Sequence, residues 1–279
     1  MKIDQALISA RERLAAAPFQ PALREANLLL ARTLNWSEAH LLAHGNDELD
    51  DSLHGQFQKL LDRRLVGEPI AYILGEKEFF GRTFLVDRRV LIPRPETEHI
   101  VEIALRLGLP SQPRILDIGT GSGCLAVTLL AEIAGSRVIA TDVSQAALRV
   151  AKRNAQRHDV GERLALVATD LASACDLEAY QLVVSNPPYI GREEASSLSP
   201  EITEFEPETA LFSHPAGHSL LERLLDTLSG LQCGTPVLLE IGAAQAETIA
   251  ASARASTFDL EAIHPDLAGF DRIAQLRRR

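Results

Sequence analysis

An α/β fold of seven strands from residue 112 onward, with a small all-α bundle in front of it, is what the sequence predicts. Three observations predict it. Up to about residue 70, apolar residues recur only at helical spacing. After residue 112, short strand-forming runs alternate with helical ones, the pattern of a parallel sheet with crossovers. Two of those strands also stop abruptly, one at Gly119-Thr120-Gly121-Ser122-Gly123 and one at Asn186-Pro187-Pro188-Tyr189.

A chain of 279 residues with 46% hydrophobic residues has enough apolar material for one large or two smaller domains. No apolar run approaches the roughly 20 residues of a membrane span, and Met1-Lys2-Ile3-Asp4 opens no signal peptide. The expected location is the cytoplasm, with no membrane contact. Cys124, Cys175 and Cys233 lie far apart, without CxxC or Cys/His ligand spacing, so neither a disulfide framework nor a metal site is expected. A formal net charge of -10 disfavours a large nucleic-acid footprint, which leans on a basic surface.

Taken in order, residues 3 to 16 read as a first helix. Leu23, Ala26, Leu30, Ala31 and Leu34 mark a second, and Ser37 caps a short third over Glu38 to Leu42. Leu53, Phe57, Leu60, Leu61 and Leu65 mark another after a cap at Asp51 or Ser52, closed by Gly67 and Pro69. His40, His44 and His54 read as surface residues. A bundle without a catalytic constellation, ahead of a domain with one, reads as a recognition module over residues 1–71. Residues 72–93 read as a β-hairpin linker, with aromatic and β-branched runs from Phe79 to Ile92 around turn residues. Pro93-Arg94-Pro95-Glu96-Thr97-Glu98 then breaks the strand and opens a helix whose acidic first turn suits its dipole. The plainer reading of this segment is a rigid linker; a functional one lays it along the edge of a bound cofactor.

The strands then run 114–119, 137–142, 164–170, 181–185, 236–242, 257–263 and 272–276. Between them lie helices from Cys124 to about Ile133, from the Ser144 cap to about Asn154, from Ser219 to Ser229 and from Ala243 to Arg254. The glycine turn has the order Gly-x-Gly-x-Gly and lacks the last spacing of a dinucleotide fingerprint. Asp117 just before it suits a ligand with a cationic end. Asp142 closes the second strand, where an acid accepts from both hydroxyls of a ribose. Asp170, at the tip of the third, is placed to accept from an adenine amino group. Each acid alone also reads as a cap or a surface carboxylate, but three at the same strand ends mark the crevice where such sheets bind ligands.

The fourth strand delivers Asn186. Pro187 and Pro188 lack amide hydrogens and end the strand, and they stiffen the turn. The side-chain carbonyl of Asn186 and the main-chain carbonyl of Pro187 are two acceptors at fixed spacing for one planar NH2 group, and the Tyr189 ring offers a face to lie against. Residues 191 to 212 follow with one Arg and six Glu, an environment unhelpful to a polyphosphate backbone.

Asp117-Ile118-Gly119-Thr120-Gly121-Ser122-Gly123, Asp142 and Asn186-Pro187-Pro188-Tyr189 resemble class I S-adenosylmethionine-dependent methyltransferases that modify planar nitrogen. With Ile92-Pro93-Arg94-Pro95-Glu96-Thr97-Glu98, Phe205-Glu206-Pro207 and the helical N-terminal part, nearly the whole chain is similar to the HemK/PrmC family of glutamine methyltransferases acting on peptide chain release factors. The resemblance implies a Rossmann-like, seven-stranded methyltransferase domain over 94–279. It also implies S-adenosylmethionine as cofactor, S-adenosylhomocysteine as product and release factors as partners. The implied cofactor residues are Asp117, Gly119, Thr120, Gly121, Ser122, Gly123, Asp142, Asp170, Leu171 and Asn186. Asn186, Pro187, Pro188 and Tyr189 hold the substrate glutamine, and Asn186, Pro187 and Tyr189 carry catalysis. The chain departs from the family pattern at Ser213-His214-Pro215-Ala216-Gly217-His218 and at Leu171, where some members carry an aromatic residue. Two other readings use the same residues: a nucleic-acid amino methyltransferase closing the clamp on a flipped base, and a nucleoside-binding regulator without turnover.

Overall fold

A computed structural model describes residues 1–17, 24–191, 193, 195, 198–212 and 220–279. Leu23, Ser219 and the 213–218 departure lie outside the described residues. Two compact units emerge. One comprises Met1–Gly75 together with Pro200–Phe205, and the other Glu76–Ser199 with Glu206–Arg279.

The first unit contains α1 (Ile3–Ala15), α2 (Glu25–Leu34), α3 (Glu38–Ala43), α4 (Asp51–Leu65) and α5 (Ile70–Leu74). Their apolar stripes meet in one core that includes Leu7, Leu29, Leu30, Leu41, Phe57 and Leu61. Ser37 caps α3 by accepting from the His40 amide. The cap of α4 is neither Asp51 nor Ser52 but Asp50, accepting from the Ser52 and Leu53 amides. Gly75, at φ 76°, ends α5 in the left-handed region that favours glycine. The helix Pro200–Phe205 also belongs to this unit. Glu201 ion-pairs there with Arg64 at 2.6 Å, and Arg64 meets Glu25 on its other side, also at 2.6 Å. Local sequence pattern does not reveal that membership.

The second unit opens with a hairpin, β1 (Glu76–Phe79) and β2 (Arg82–Leu85), turning at Phe80-Gly81, both of positive φ. It is shorter than expected. Residues 87–92 form no strand, because Asp87 folds back to accept from its own neighbour Arg89 and from the Val90 amide through its carbonyl. A 3-10 turn over Pro95–Thr97 leads into α6 (Glu98–Arg106). There follow β3 (Arg114–Ile118), α7 (Cys124–Glu132), β4 (Arg137–Asp142), α8 (Gln145–Arg157), β5 (Leu164–Ala168) and β6 (Leu182–Ser185). After α9 (Pro200–Phe205) come α10 (Glu208–Leu211), α11 (Leu220–Thr227), β7 (Pro236–Glu240), α12 (Ala246–Ala255), β8 (Phe258–Pro265) and β9 (Asp271–Arg278). β5 and β7 stop two residues before the expected ends, and α12 starts three residues late.

The sheet order is β5-β4-β3-β6-β7-β9-β8. β5, β4, β3, β6 and β7 run parallel, and β9 returns antiparallel to both β7 and β8. β6 and β7 are buried along their whole length, as central parallel strands covered on both faces must be. One core contains residues of α6 and α7 with Ile115 and Val184, and the other residues of α11 and α12 with Leu116 and Val183. Register places the functional ends together. Ile118 pairs with Ser185 and with Thr141, and Ser185 pairs with Leu239, so Asn186 and Glu240 are the next residues along adjacent strands.

Candidate functional site

The glycine turn is built by backbone conformation. Gly119, Gly121 and Gly123 have φ of 72°, 52° and 81°, values at which a side chain would be strained. At Gly123 a Cβ would also stand 3.0 Å from Ala151 of α8. The Gly119 and Thr120 amides both donate to the Thr141 carbonyl at 2.9 Å, and the Gly123 amide closes the turn onto the Thr120 carbonyl at 2.8 Å. Asn154 of α8 braces it by donating to the Ser122 carbonyl at 2.8 Å. The same side chain exchanges hydrogen bonds with the Leu85 backbone, so the hairpin, α8 and the turn share one buried polar residue.

Asp117 is fully buried in β3. Thr120 donates to its Oδ2 at 2.6 Å, while Oδ1 has no hydrogen-bond partner among the described residues. Burial pushes its carboxyl up to about 7, against a smaller opposing effect of the Thr120 hydroxyl. An orphaned carboxylate oxygen beneath a glycine cradle suits a ligand that brings a cationic group. Asp142, at the end of β4, accepts from the Gly121 amide at 3.0 Å and the Ser144 amide at 2.8 Å. Burial raises its carboxyl pKa, offset in part by those two amides. It therefore caps the local backbone and closes the crevice at once.

Asp170 lies two residues past the end of β5, with its side chain 58% exposed and paired with Arg223 of α11 at 2.5 Å. This exposure agrees with the plainer of its two sequence readings, a surface carboxylate; its partner Arg223 was not read from the sequence. Leu171 beside it has φ 51° and packs against the core that includes Ala172 and Tyr180.

The Asn-Pro-Pro-Tyr turn leaves β6 where Ser185 donates to the Ile118 carbonyl at 2.7 Å. A Cβ on Gly119 would stand 4.0 Å from the Asn186 carbonyl oxygen, so glycine turn and proline turn are neighbours. Pro187 is buried and Pro188 half-buried. Gln245 donates to the Tyr189 carbonyl at 3.1 Å, and the Tyr189 ring lies alongside Gly242, 3.4 Å from where a Cβ would stand. Burial and the neighbouring Glu240 raise the phenol pKa.

Two residues that the structure joins to the Asn-Pro-Pro-Tyr turn, Thr97 and Glu240, were not singled out in the sequence. Asn186 Nδ2 donates to Thr97 Oγ1 at 3.0 Å, Thr97 Oγ1 donates to Glu240 Oε2 at 2.6 Å, and the Tyr189 hydroxyl donates to Glu240 Oε1 at 3.3 Å. Burial pushes the Glu240 carboxyl up to about 7. The available signal was an acid closing the otherwise apolar run Pro236-Val237-Leu238-Leu239, and a Thr inside Pro-Arg-Pro-Glu-Thr-Glu. Nearby, Glu206 accepts from the Ile92 amide at 3.1 Å and from Arg94 at 2.6 Å, joining Pro-Arg-Pro-Glu-Thr-Glu to Phe-Glu-Pro. Among the described residues no group of three His, Cys, Asp or Glu is arranged to hold a metal, and no helix is long and apolar enough to cross a membrane.

Residues 5–75 match the PrmC N-terminal domain family, and residues 103–204 match the methyltransferase small domain family. A release factor glutamine methyltransferase of Cereibacter sphaeroides is 40% identical over 285 residues, covering 99% of each chain. One from Nitratidesulfovibrio vulgaris is 38% identical, covering 96% of this chain and 92% of that one. Among solved structures, the hMettl16 catalytic domain in complex with MAT2A 3'UTR hairpin 6 superposes with TM-score 0.54 at 18% identity, covering 78% of this chain and 81% of that one. That last likeness is one of fold.

Proposed function

The chain belongs to the release factor glutamine methyltransferase family, and from that premise we propose the reaction and the residues that carry it. The α/β unit transfers a methyl group from S-adenosylmethionine to the side-chain amide nitrogen of the glutamine in the Gly-Gly-Gln motif of peptide chain release factors, leaving S-adenosylhomocysteine. The observation that carries this is Asn186, seated beside the glycine turn with its amide nitrogen committed to Thr97. Its carbonyl end is thereby the acceptor offered to a substrate.

The donor, when bound, supplies a methyl already activated on a sulfonium sulfur. Asp117, with Gly119, Thr120, Gly121, Ser122 and Gly123, holds its cationic end, and Asp142 its ribose. Asn186 would also contact it and Leu171 would border the adenine, while Asp170 would reach the adenine by giving up Arg223. A carboxamide nitrogen is a poor nucleophile because its lone pair is delocalised into the carbonyl. Asn186 Oδ1 and the Pro187 carbonyl accept its two N–H bonds, raise electron density on nitrogen and aim it, while Pro188 stiffens the turn and the Tyr189 ring supports the amide plane. Alignment of this kind is worth roughly 7–11 kcal/mol in favourable cases. No strong base is required, because the amide becomes acidic once it is methylated and water or a carbonyl oxygen takes the proton.

The helical module over residues 1–71 serves to recognise the protein substrate, and the reaction belongs with translation termination in the cytoplasm. Incubation with labelled S-adenosylmethionine and separated protein and RNA fractions tests the reading. Label is expected in the release-factor fraction. Label in naked RNA or DNA instead would establish the nucleic-acid amino methyltransferase.

A further inference from the structure

The two ends of the Asn186 amide have the same shape, and only hydrogen bonding decides which of them faces the substrate. Nδ2 donates to Thr97 Oγ1 at 3.0 Å. A hydroxyl has one proton to give, and Thr97 gives it to Glu240 at 2.6 Å. Glu240 is 1% exposed and Thr97 2% exposed, so water does not offer either group an easy substitute. An ionised carboxylate accepts and never donates. The direction of the whole relay, from Asn186 through Thr97 to Glu240, is therefore fixed while Glu240 is ionised, whereas a neutral carboxyl or a carboxamide has one donor end and one acceptor end and no longer fixes it.

We propose that Glu240 is a positioning residue that, through Thr97, fixes the acceptor end of Asn186 toward the substrate and so makes the site select a carboxamide over a carboxylate. The inference rests on the glutamine methyltransferase reading and deepens it. With Glu240 ionised, Oδ1 meets an NH2 group and repels a carboxylate. With the donor end of a neutral group turned toward it, Thr97 accepts from that donor and gives its own proton to Asn186 Oδ1. The amide then turns over, and Nδ2 faces a substrate carboxylate that it attracts. Protonation of Glu240 has the same effect as substitution. The charged and titratable groups around it are Tyr189 on the proline turn, Glu96 in the 3-10 turn, Arg272 on β9 and Cys124 at the start of α7. Glu96 raises its pKa and Arg272 lowers it, both less strongly than burial does.

The test uses the full-length protein, a release factor, and the same release factor with its Gly-Gly-Gln glutamine replaced by glutamate as an inhibitor. In Glu240→Gln, turnover is expected to fall on the order of tenfold or more, with calorimetric affinity for S-adenosylhomocysteine unchanged. The glutamate form should inhibit the variant about tenfold better than it inhibits the wild type, a gain of about 1.4 kcal/mol. In the wild type, at saturating methyl donor, that inhibition should tighten as pH falls from about 8 to 6, while the variant shows a flat profile. The wild-type profile needs no variant to fold. Equal inhibition of the two proteins, or a wild-type profile without slope, overturns the role of Glu240. A wild type that does not methylate the release factor at all instead overturns the reading on which it rests.

Discussion

Buried carboxylates are neutralised in two ways, one shared by Glu25 of the helical unit and Glu206 of the α/β unit, which meets Arg94 at 2.6 Å, the other confined to Asp117 and Glu240 among the described residues. In the helical unit, Glu25 meets Arg64 at 2.6 Å, and Arg64, itself 2% exposed, meets Glu201 at 2.6 Å as well. The fold supplies the opposite charge. In the α/β unit, Asp117 and Glu240 have hydroxyl partners and no ion pair among the described residues, and burial holds both carboxyl pKa values near 7. A charge the fold completes by itself serves structure, and one left to a hydroxyl is available to a ligand or to orient a neighbour. The four side-chain oxygens buried without a partner among the described residues, on Asp117, Thr128, Thr141 and Thr257, also all belong to the α/β unit.

The sharpest way to break this contrast is Arg64→Met. It strands buried Glu25 without its counter-charge and should cost about 3–5 kcal/mol in denaturant unfolding. The α/β unit should still bind S-adenosylhomocysteine. A loss below about 1 kcal/mol would mean that the helical unit relaxes around the charge and the distinction fails.

Asn186→Ala comes next. It removes a preorganised polar partner and should lower turnover on the order of 100-fold, about 2.7 kcal/mol, with a smaller loss of cofactor affinity from the contact Asn186 would make to the donor. Single-turnover kinetics separate the two quantities.

Asp117 sharpens the contrast by pH. Its ordinary value is 3.8 and its folded value about 7, so the fold favours the neutral form. The stability this position contributes without ligand is full below the ordinary value and is lost as pH rises through about 7. A cationic ligand reverses that preference. Binding below about pH 7 should therefore release a proton, and affinity should rise by at most about tenfold per pH unit as pH approaches about 7 from below and level off above it. Calorimetry in buffers of different ionisation heat counts the proton, and Asp117→Asn should abolish the count.

The smallest effect belongs to a pair that the fold completes at the surface. Arg223→Ala should change thermal stability by less than about 1 kcal/mol, because Asp170 is mostly solvated.

Much of this was legible in the chain. Seven strands, the Ser37 and Ser144 caps and both turns follow from local pattern, because periodicity, caps and proline act over a few residues. The partners of Asn186 were not legible. Thr97 and Glu240 lie 89 and 54 positions from it in sequence, numbered from 186, and only the β6–β7 register and the start of α6 bring them together. The ion pair of Asp170 with Arg223 and the membership of Pro200–Phe205 in the helical unit were hidden for the same reason. The run at 87–92 has strand-forming composition, yet Asp87 turns it on itself. Local propensity lost there to a side-chain hydrogen bond.

The most direct test is peptide mass spectrometry of a release factor after reaction with this protein and S-adenosylmethionine. The expected result is one added methyl group on the glutamine of Gly-Gly-Gln, absent when Asn186→Ala replaces the wild type. A methyl group on any other residue, or an unmodified glutamine beside efficiently methylated RNA or DNA, would contradict the assignment of this site to glutamine.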